Sequence, residues 1–502
     1  MNARAEVGAT EPLPAPYAVP LLHIAGRWRA GRHERRHTVF DPSCGQPIGE
    51  LGLANGADID EALAAAESGF AAWRQVPAFK RGEALLAAAR RLQQRGEEIA
   101  TLLTREQGKP LAEARSEIAG TVQVIQWYAE ESRRSYGRII PPRVPGSALQ
   151  VLREPVGPCA AFSPWNFPLM LSSRKIAGAL AAGCSVVLKA AEETPASVAA
   201  MVDCFLASGL PDGALQLLYG VPEEVSRRLL GSPIIRKLSF TGSVPVGREL
   251  ARLAADQLQR VTLELGGHAP VLVFADANLD AAVVQLAGAK FRNAGQICAA
   301  PTRFLVERSV HDAFLERMAA ACEQLRLGPG LAPGSTLGPL ASARRQAAMQ
   351  PLVDDALANG ARLVVGGTRP EGQGFFYRPT LLADVPTQAR AMGTEPFGPL
   401  VLTRPFDTEA EAIAVANGTR MGLAAYLYTD SASRQARLVP ALRTGMVAIN
   451  HASVSSPEAP FGGVGDSGYG SECGVEGLDA YLQPKFVHQF PAFDGTPPRI
   501  SP

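Results

Sequence analysis

The sequence lacks the features by which several protein classes are recognised. Its seven cysteines include no CxxC pair, and its seven histidines include no HxH pair. Neither a disulfide framework nor a metal site is therefore predicted. No apolar run reaches the ~18 residues that a membrane-spanning helix needs, and the first twenty residues lack the apolar core of a signal peptide. These absences predict a reducing compartment, the cytoplasm.

An excess of charge of either sign is also missing. Lys and Arg together number 49, Asp and Glu 48, and the formal net charge is +1. This balance favours neither a nucleic-acid partner nor a membrane surface. Hydrophobic residues make up 46% of the 502 residues, which is ordinary for a globular enzyme of two or three domains. A small-molecule substrate is therefore the expected partner.

Strand and helix patterns alternate along most of the chain. Short apolar strands and amphipathic helices alternate over residues 157–264, which predicts a parallel, doubly wound sheet. A second alternating block follows the pair Gly266-Gly267. Ligands of such sheets bind beyond the carboxyl ends of the strands. Before the first block, residues 58–61 predict the capping box of an early helix.

The segment Phe291-Arg-Asn-Ala-Gly-Gln-Ile-Cys298 ends in a candidate nucleophile. Gly295 permits a bend where a Cβ would clash, and Asn293 and Gln296 can hold the bend through side-chain hydrogen bonds. Cys298 would then be presented on a rigid turn, as nucleophilic catalysis requires. The alternative is a small buried cysteine without chemistry.

Two other side chains suit a thiol that attacks a carbonyl group. Glu264 ends an apolar strand, where a partly desolvated carboxylate can act as a general base. Asn166 lies in a proline-flanked turn, and its amide could stabilise an oxyanion together with the N–H of Cys298. The alternatives are a capping or ion-paired glutamate and an asparagine that satisfies its own backbone.

Two further stretches indicate a nucleotide cofactor. The segment from Gly242 to Gly247 follows a strand and opens a helix, so its N–H groups could cradle phosphates, although its spacing is neither the Rossmann nor the Walker A pattern. Lys189 ends an earlier strand, and Glu192 follows it. A carboxylate there accepts hydrogen bonds from ribose and repels a 2′-phosphate, which favours NAD over NADP. The alternatives are an ordinary turn and a solvated acidic loop.

Seven motifs, in this order, resemble those of the NAD(P)-dependent aldehyde dehydrogenase superfamily. They are PWNFP, the lysine of SVVLKAAEETP, FTGSxxxG, LELGG, FRNAGQIC, TEPFGP and PFGG. The resemblance covers about residues 20–490 and is closest to bacterial succinate-semialdehyde dehydrogenase. It implies an α/β fold with two doubly wound parallel-sheet domains, a small β oligomerisation domain, and a homodimer or homotetramer.

The resemblance also implies the division of the chain. Residues 1–20 would be a disordered or loosely ordered arm. Residues 21–134 and 155–267 would form the dinucleotide-binding domain, and residues 268–470 the catalytic domain. Residues 135–154 and 471–502 would supply the oligomerisation hairpin and the C-terminal strand, whose exposed edge invites a second subunit.

The resemblance further implies a mechanism and a set of site residues. Cys298 would add to an aldehyde, Asn166 would stabilise the oxyanion, and Glu264 would activate the water that hydrolyses the resulting thioester. The implied residues that bind NAD are Trp165, Lys189, Glu192, Gly242, Ser243, Gly247, Glu395 and Phe397.

Arg174, Arg292 and Ser455 stand where succinate-semialdehyde dehydrogenases carry residues that grip the substrate's distal carboxylate. The planar guanidinium suits that grip, so succinate semialdehyde is the predicted substrate. The alternatives are α-ketoglutarate or glutarate semialdehyde, an aldehyde bearing a sulfonate or a hydroxyl group, and another small aldehyde. Arg174 could instead pair with an acid of its own helix, and Arg292 with a carboxylate at a domain interface. A non-catalytic structural or binding homologue is the alternative from a different class.

Overall fold

The computed structural model describes residue 17 and residues 19–490. The predicted arm, residues 1–20, thus lies almost entirely outside the described residues, as does the end of the predicted C-terminal segment, residues 491–502. None of the helices in the described part of the chain combines the length and the apolar character needed to cross a membrane.

The strands of the described residues form two large sheets and three small ones. In chain order they are β1 Leu22–Ile24, β2 Arg27–Arg29, β3 Arg36–Asp41, β4 Gln46–Gly52, β5 Arg138–Ile140, β6 Ala148–Pro155, β7 Cys159–Phe162, β8 Val186–Lys189, β9 Leu215–Leu218, β10 Lys237–Gly242, β11 Arg260–Leu265, β12 Ala269–Val273, β13 Pro301–Glu307, β14 Arg362–Val365, β15 Thr380–Ala383, β16 Leu400–Phe406, β17 Met421–Gly422, β18 Ala424–Tyr428, β19 Met446–Ile449, β20 Val464–Gly465, β21 Gly468–Tyr469 and β22 Leu482–Gln489. The large sheets have the orders β2-β1-β9-β8-β7-β10-β11-β21 and β14-β15-β16-β13-β12-β18-β19.

Helices connect most of these strands. In chain order they are α1 Gly56–Trp73, α2 Ala78–Gln94, α3 Gly96–Gln107, α4 Leu111–Glu131, α5 Pro168–Ala182, α6 Pro195–Leu206, α7 Pro222–Leu230, α8 Val244–Ala255, α9 Leu279–Phe291, α10 Arg308–Glu323, α11 Ala343–Ala347, α12 Gln350–Ala358, α13 Arg390–Gly393, α14 Glu409–Ala416, α15 Ala432–Ala441 and α16 Gly474–Asp479. Each of α5 to α8 has a proline in its first two positions. Proline is tolerated there because the N–H groups of the first turn have no partner within the helix.

The first large sheet has a parallel centre, as predicted. Strands β9, β8, β7, β10 and β11 run parallel, while β1, β2 and β21 pair antiparallel at its edges. Strands β7, β8 and β9 are buried along their whole length, which is typical of a sheet covered on both faces. One local prediction was wrong: the capping box of α1 joins Asn55 to Asp58, so this helix begins before residues 58–61.

The second large sheet begins directly after the glycine pair. Strand β11 ends at Leu265 in the first sheet, and β12 begins at Ala269 in the second, so Gly266-Gly267 lies between the two. All its strands are parallel except the edge strand β14. The predicted α/β fold class is therefore confirmed.

A separate three-stranded antiparallel sheet has the order β22-β6-β5. The hairpin predicted within residues 135–154 and the C-terminal strand are therefore both formed and pair with each other. Two apolar side chains of this sheet, Ile139 and Phe486, are exposed by 83% and 60%.

Candidate active site

The turn before Cys298 has an unusual backbone. Asn293, Ala294 and Gly295 all have positive φ, of 50°, 52° and 75°, which is strained for residues with a side chain. The Gln296 amide donates to the carbonyl of Asn293 over 3.0 Å. A Cβ on Gly295 would lie 2.2 Å from the carbonyl oxygen of Gly398. The prediction of a bend that needs glycine and is held by side chains is confirmed.

Asn166 lies against this turn, although 132 residues separate it from Cys298. It belongs to the loop between β7 and α5. Its Nδ2 donates to the carbonyl oxygen of Gln296 over 2.9 Å. Asn166 and Cys298 also line the same cavity. The tertiary structure thus brings the predicted oxyanion donor to the predicted nucleophile.

The Cys298 thiol is partly buried, and its surroundings disfavour the thiolate. Burial, followed by the negative charges of Glu395 and Glu264, raises the pKa of Cys298 to about 12, and Arg174 opposes this shift. The side chain is therefore a protonated thiol at neutral pH. Addition to a carbonyl carbon then requires a proton acceptor.

Glu264 is the buried carboxylate that could accept a proton. Both of its carboxylate oxygens are buried, and neither accepts a hydrogen bond from a protein group. Burial raises its pKa well above the usual range, and the charge of Glu472 adds to the shift. A Cβ on Gly462 would stand 3.2 Å from its Oε1. The carboxylate is therefore placed for proton transfer and is not part of a structural ion pair.

A buried ion pair beside Glu264 was not predicted from the sequence. Lys175 Nζ donates to Glu472 Oε1 over 2.5 Å and to Thr241 Oγ1 over 2.8 Å, and Thr241 pairs with Glu264 across β10 and β11. The signal was present, because Arg174 and Lys175 are adjacent cations inside an otherwise uncharged helix. Such charges need partners when they are buried.

The glycine pair Gly266-Gly267 explains how two distant loops approach β11. A Cβ on Gly266 would lie 2.5 Å from Glu395 Oε2, and one on Gly267 would lie 2.4 Å from the carbonyl oxygen of Cys298. The Gly267 N–H donates to Glu395 Oε1 over 3.2 Å. Burial raises the pKa of Glu395 to about 8. Only glycine permits both approaches.

The cavity in front of Cys298 has a volume of about 390 Å³ and contains all three predicted substrate-binding residues. Arg174 Nη2 donates to Ser455 Oγ over 2.9 Å, and its guanidinium lies 4.3 Å from the ring centre of Phe461. Its Nε and Nη1 are buried without a hydrogen-bond acceptor. A buried guanidinium with unsatisfied donors is costly unless an anion completes it.

The structure also shows which groups surround Arg174 and Arg292. Helix α5 contains no acidic residue, so the alternative that Arg174 pairs with an acid of its own helix is wrong. The nearest carboxylate oxygen, on Glu472, is 3.9 Å from Arg174 Nη1, which is too long for a hydrogen bond. Arg292 lies 5.1 Å from the ring centre of Phe167, on the same cavity. Both cations therefore face the space in front of the thiol.

Six of the eight predicted cofactor residues lie near the carboxyl ends of strands of the first sheet, whereas Glu395 and Phe397 lie between α13 and β16. Lys189 Nζ and Glu192 Oε2 are 2.6 Å apart, and Glu192 Oε1 accepts a hydrogen bond from Gly220 N. Ser243 is the N-cap of α8, but its hydroxyl makes no capping hydrogen bond. A Cβ on Gly247 would collide with Leu265 at 2.4 Å.

These features fit a dinucleotide. A helix N-terminus with an unused hydroxyl suits phosphate, and a carboxylate two strands away suits ribose. Gly242 ends β10 next to this N-terminus. Trp165 and Phe397 make an edge-to-face contact, with ring centres 5.6 Å apart. The described residues contain no cluster of three or more His, Cys, Asp or Glu side chains that could hold a metal ion.

Comparison with known proteins agrees with this geometry. The model of the aldehyde dehydrogenase family matches residues 28–487. The chain belongs to the aldehyde dehydrogenase family. Its fold is also that of a solved aldehyde dehydrogenase, the succinate-semialdehyde dehydrogenase from Burkholderia pseudomallei, with a TM-score of 0.93, 40% identity, and coverage of 96% of this chain and 100% of that chain. The predicted family and fold are thus confirmed.

Two curated aldehyde dehydrogenase relatives carry different substrate names. The 4-(hydroxymethyl)benzenesulfonate dehydrogenase TsaD1 of Comamonas testosteroni is 56% identical over 94% of this chain and 98% of its own length. The succinate-semialdehyde dehydrogenase [NADP(+)] GabD of Escherichia coli is 40% identical over 92% of this chain and 96% of its own. The protein is therefore an NAD(P)-dependent aldehyde dehydrogenase.

Proposed function

We propose that this aldehyde dehydrogenase oxidises an aldehyde whose far end carries an anionic group, and that NAD is the oxidant. The observation that carries the proposal is the buried Arg174, whose Nε and Nη1 have no acceptor, beside Ser455 Oγ. An anionic substrate group would satisfy these donors. Arg292 adds a second positive charge to the same cavity.

A sulfonated aromatic aldehyde is the first candidate. The relative with 56% identity is named for a benzenesulfonate. Phe167, Phe461 and Leu171 give the cavity apolar walls, and its volume of about 390 Å³ is in the range of pockets that hold ring-bearing ligands. A thiol adds to the carbonyl carbon of an aldehyde and not to an alcohol. The substrate proposed is therefore 4-formylbenzenesulfonate.

Succinate semialdehyde is the second candidate. Arg174, Arg292 and Ser455 together favour a carboxylate as much as a sulfonate, and relatives at about 40% identity are named for succinate and glutarate semialdehydes. A short chain would leave more of the cavity unfilled than an aromatic ring. We therefore rank it below the sulfonated ring.

The reaction follows from residues of this chain. The Cys298 thiol releases its proton to solvent water as Sγ adds to the aldehyde carbon, and the oxyanion accepts hydrogen bonds from the Asn166 amide and the Cys298 N–H. NAD would supply the nicotinamide ring that accepts the hydride, and Cys298 would then carry a thioester. Glu264 then accepts a proton from the water that attacks the thioester. The acid leaves, and Glu264 passes the proton taken from the water to the Cys298 thiolate.

The cofactor residues have separate tasks in this proposal. Lys189 and Glu192 hold the adenosine ribose, and Gly242, Ser243 and Gly247 leave the N-terminus of α8 open to the pyrophosphate. Glu395 receives the nicotinamide ribose. Trp165 and Phe397 pack beside that end of the cofactor. The carboxylate of Glu192 favours NAD over NADP because it repels a 2′-phosphate.

The remaining assignments are proposals of the same kind. The exposed apolar residues of the β5-β6-β22 sheet support a homodimer or homotetramer. The seven cysteines are all free, which supports a reducing compartment such as the cytoplasm. Domain limits at residues 134, 154, 267 and 470 are retained from the sequence.

The test is a comparison of kcat/KM values for four aldehydes with NAD and with NADP. 4-Formylbenzenesulfonate and succinate semialdehyde carry the anion, and benzaldehyde and butanal are their uncharged counterparts. Each charged aldehyde should exceed its counterpart by at least about tenfold. Equal kcat/KM values within both pairs would reject the anion proposal. A higher kcat/KM for succinate semialdehyde than for 4-formylbenzenesulfonate would reverse the ranking of the two candidate substrates.

A further inference from the structure

A buried polar cluster joins the two sides of the proposed oxyanion site. It consists of Gln107, Lys109 and Glu117, which are all almost completely buried. Burial of two opposite charges costs free energy that their mutual attraction often fails to recover. A buried ion pair of this kind is therefore not explained by a contribution to folding stability alone. Its hydrogen bonds lead to Asn166 on one side and to the turn before Cys298 on the other.

The Asn166 carbonyl oxygen is the point where both branches meet. It accepts hydrogen bonds from Lys109 Nζ over 2.8 Å and from Asn293 Nδ2 over 2.9 Å. The Asn166 side chain in turn donates to the carbonyl of Gln296. Lys109 of the cluster therefore fixes the main chain of Asn166, while the turn before Cys298 fixes its side-chain amide.

Glu117 holds the next part of the same loop. Its Oε2 pairs with Lys109 Nζ over 2.5 Å. Its Oε1 accepts from the N–H groups of Leu169 and Met170, over 3.0 and 3.3 Å. These are orphan donors of the first turn of α5, the helix that begins just after Asn166. One carboxylate thus fixes the helix start and the lysine together.

The second branch reaches the strained turn. Gln107 Oε1 accepts from the Lys109 N–H, and Gln107 Nε2 donates to Asn293 Oδ1 over 2.8 Å. Asn293 is the first of the three residues with positive φ. A backbone in that region persists only where its surroundings impose it, and this hydrogen bond is one of the constraints.

We propose that Lys109 and Glu117 are positioning residues for the oxyanion site, which deepens the function proposed above and rests on it. Neither touches the substrate. Each fixes the Asn166 loop relative to the Cys298 turn, so that the Asn166 amide stays within reach of the oxygen that becomes negative. A displacement of about 1 Å at such a donor can cost a hundredfold in rate.

The decisive variant is the double substitution Lys109→Met with Glu117→Leu. It removes both charges at once, so no unpaired charge is left in the interior, and such replacements are often neutral for stability. Glu117→Gln is the second variant, because it retains the shape of the carboxylate but loses the ion pair. The substrate is butanal with saturating NAD, which makes the test independent of the arginine grip.

Two reactions of the Cys298 thiol, aldehyde oxidation and alkylation, are measured and their rates compared in each variant. The burst of NADH formation passes through the oxyanion, whereas alkylation of Cys298 by iodoacetamide forms none. The ratio of burst rate to alkylation rate should fall by about 10- to 100-fold in both variants. A merely structural role would change the two rates together or change only the melting temperature.

Glu106→Gln is the matched control. Glu106 is another buried carboxylate, and it accepts from Ala196 N and Ser197 N at the first turn of α6, as Glu117 does for α5. It has no hydrogen bond to Asn166 among those of the described residues. The ratio should stay within about twofold of wild type in this variant.

The outcomes separate this inference from the proposed function. An unchanged ratio in the double variant and in Glu117→Gln would overturn the positioning role, while wild-type turnover would leave the proposed function intact. A lowered ratio in Glu106→Gln as well would also overturn it, since any buried carboxylate would then have the same effect. A wild-type enzyme that reduces no NAD would reject the proposed function itself.

Discussion

The proposed substrate cavity and the proposed adenosine end of the cofactor site differ in how their charged groups are paired. At the adenosine end, Lys189 and Glu192 pair with each other, and Glu192 also accepts from Gly220 N. Near Cys298, Arg174 has two nitrogens and Glu264 two oxygens that are buried without a hydrogen-bond partner from the protein. The protein itself pairs the charged groups at the adenosine end, whereas the charged groups near Cys298 remain able to bind a substrate anion and a water.

This difference predicts where substitutions matter most. A bound ribose would replace hydrogen bonds that Lys189 and Glu192 already form within the protein. The net binding free energy gained from any one such contact is therefore modest. A substrate anion or an attacking water would instead complete groups that are otherwise desolvated and unsatisfied. Changes in the cavity should therefore cost more, and should depend more on the substrate, than changes at the adenosine end.

The largest effect is expected for Cys298→Ala. Oxidation should fall by more than about 10⁴-fold, because no other thiol lines the cavity in the described residues. NAD binding should persist, since the sulfur is not among the groups proposed to hold the dinucleotide. Steady-state NADH formation and NAD titration by calorimetry check the two parts. Residual oxidation above that level would point to another nucleophile.

Glu264→Gln should slow turnover by about 10²- to 10⁴-fold while the first burst of NADH survives. The base is needed to hydrolyse the thioester, which follows hydride transfer. Burial raises the pKa of Glu264, so the active carboxylate is lost at a higher pH than for an ordinary glutamate. The wild-type kcat should therefore decline as pH falls through this raised pKa, and the variant should lose that limb. Stopped-flow absorbance measures the burst, and its disappearance would contradict the assignment.

Arg174→Met tests the anion grip directly. The kcat/KM for 4-formylbenzenesulfonate and for succinate semialdehyde should fall by roughly a hundredfold, whereas that for benzaldehyde should change by less than about threefold. Arg292→Ala should also lower kcat/KM for the two charged aldehydes, but by a smaller factor, because the Arg292 side chain is only half-buried. Equal losses for charged and uncharged aldehydes would reject the proposal.

Alkylation of the cofactor-free enzyme tests the electrostatics of the cavity. The pKa of Cys298 is raised to about 12, so the reactive thiolate is scarce at neutral pH and increases with pH. The rate with iodoacetamide should rise roughly tenfold per pH unit between about pH 7 and about pH 10. A plateau within that range would mean that the thiol ionises more readily than its surroundings indicate.

The smallest effect is expected at the adenosine end. Glu192→Gln should shift the ratio of kcat/KM values toward NADP by about three- to tenfold, because the repulsion of a 2′-phosphate is removed. Glu193→Gln is the control, since the neighbouring carboxylate is not proposed to face the ribose. Similar shifts in both variants would show that net charge alone, and not the position of Glu192, sets the preference.

The local sequence was sufficient to identify Cys298, Asn166 and Glu264 as candidates, because Glu264 ends an apolar strand and the other two lie in turns between elements whose patterns are clear. It was also sufficient for the bend at Gly295, since a turn with glycine and flanking amides has few alternatives. The start of α1 was misplaced because Asn55 and Asp58 form a capping box as good as the one predicted. Local pattern does not distinguish competing caps.

The partners of buried charges could not be predicted in the same way. Lys109 and Glu117 are eight residues apart on the chain, yet their importance lies in contacts with Asn166 and with α5. Lys175 similarly finds Glu472 across 297 positions. Spacing along the chain predicts contacts within one helix, but not which distant loop a buried cation will meet.

By itself, therefore, the sequence determined the family and the alternating architecture and predicted Cys298 and Glu264 as nucleophile and base, since these depend on short motifs and on periodicity. Only the tertiary structure decided that Nε and Nη1 of Arg174 lack a hydrogen-bond acceptor, that burial raises the pKa of Cys298 to about 12, and that a buried ion pair contacts the Asn166 carbonyl oxygen. The reason is physical: hydrogen bonding, burial and the pKa of a group depend on atoms brought together from distant parts of the chain.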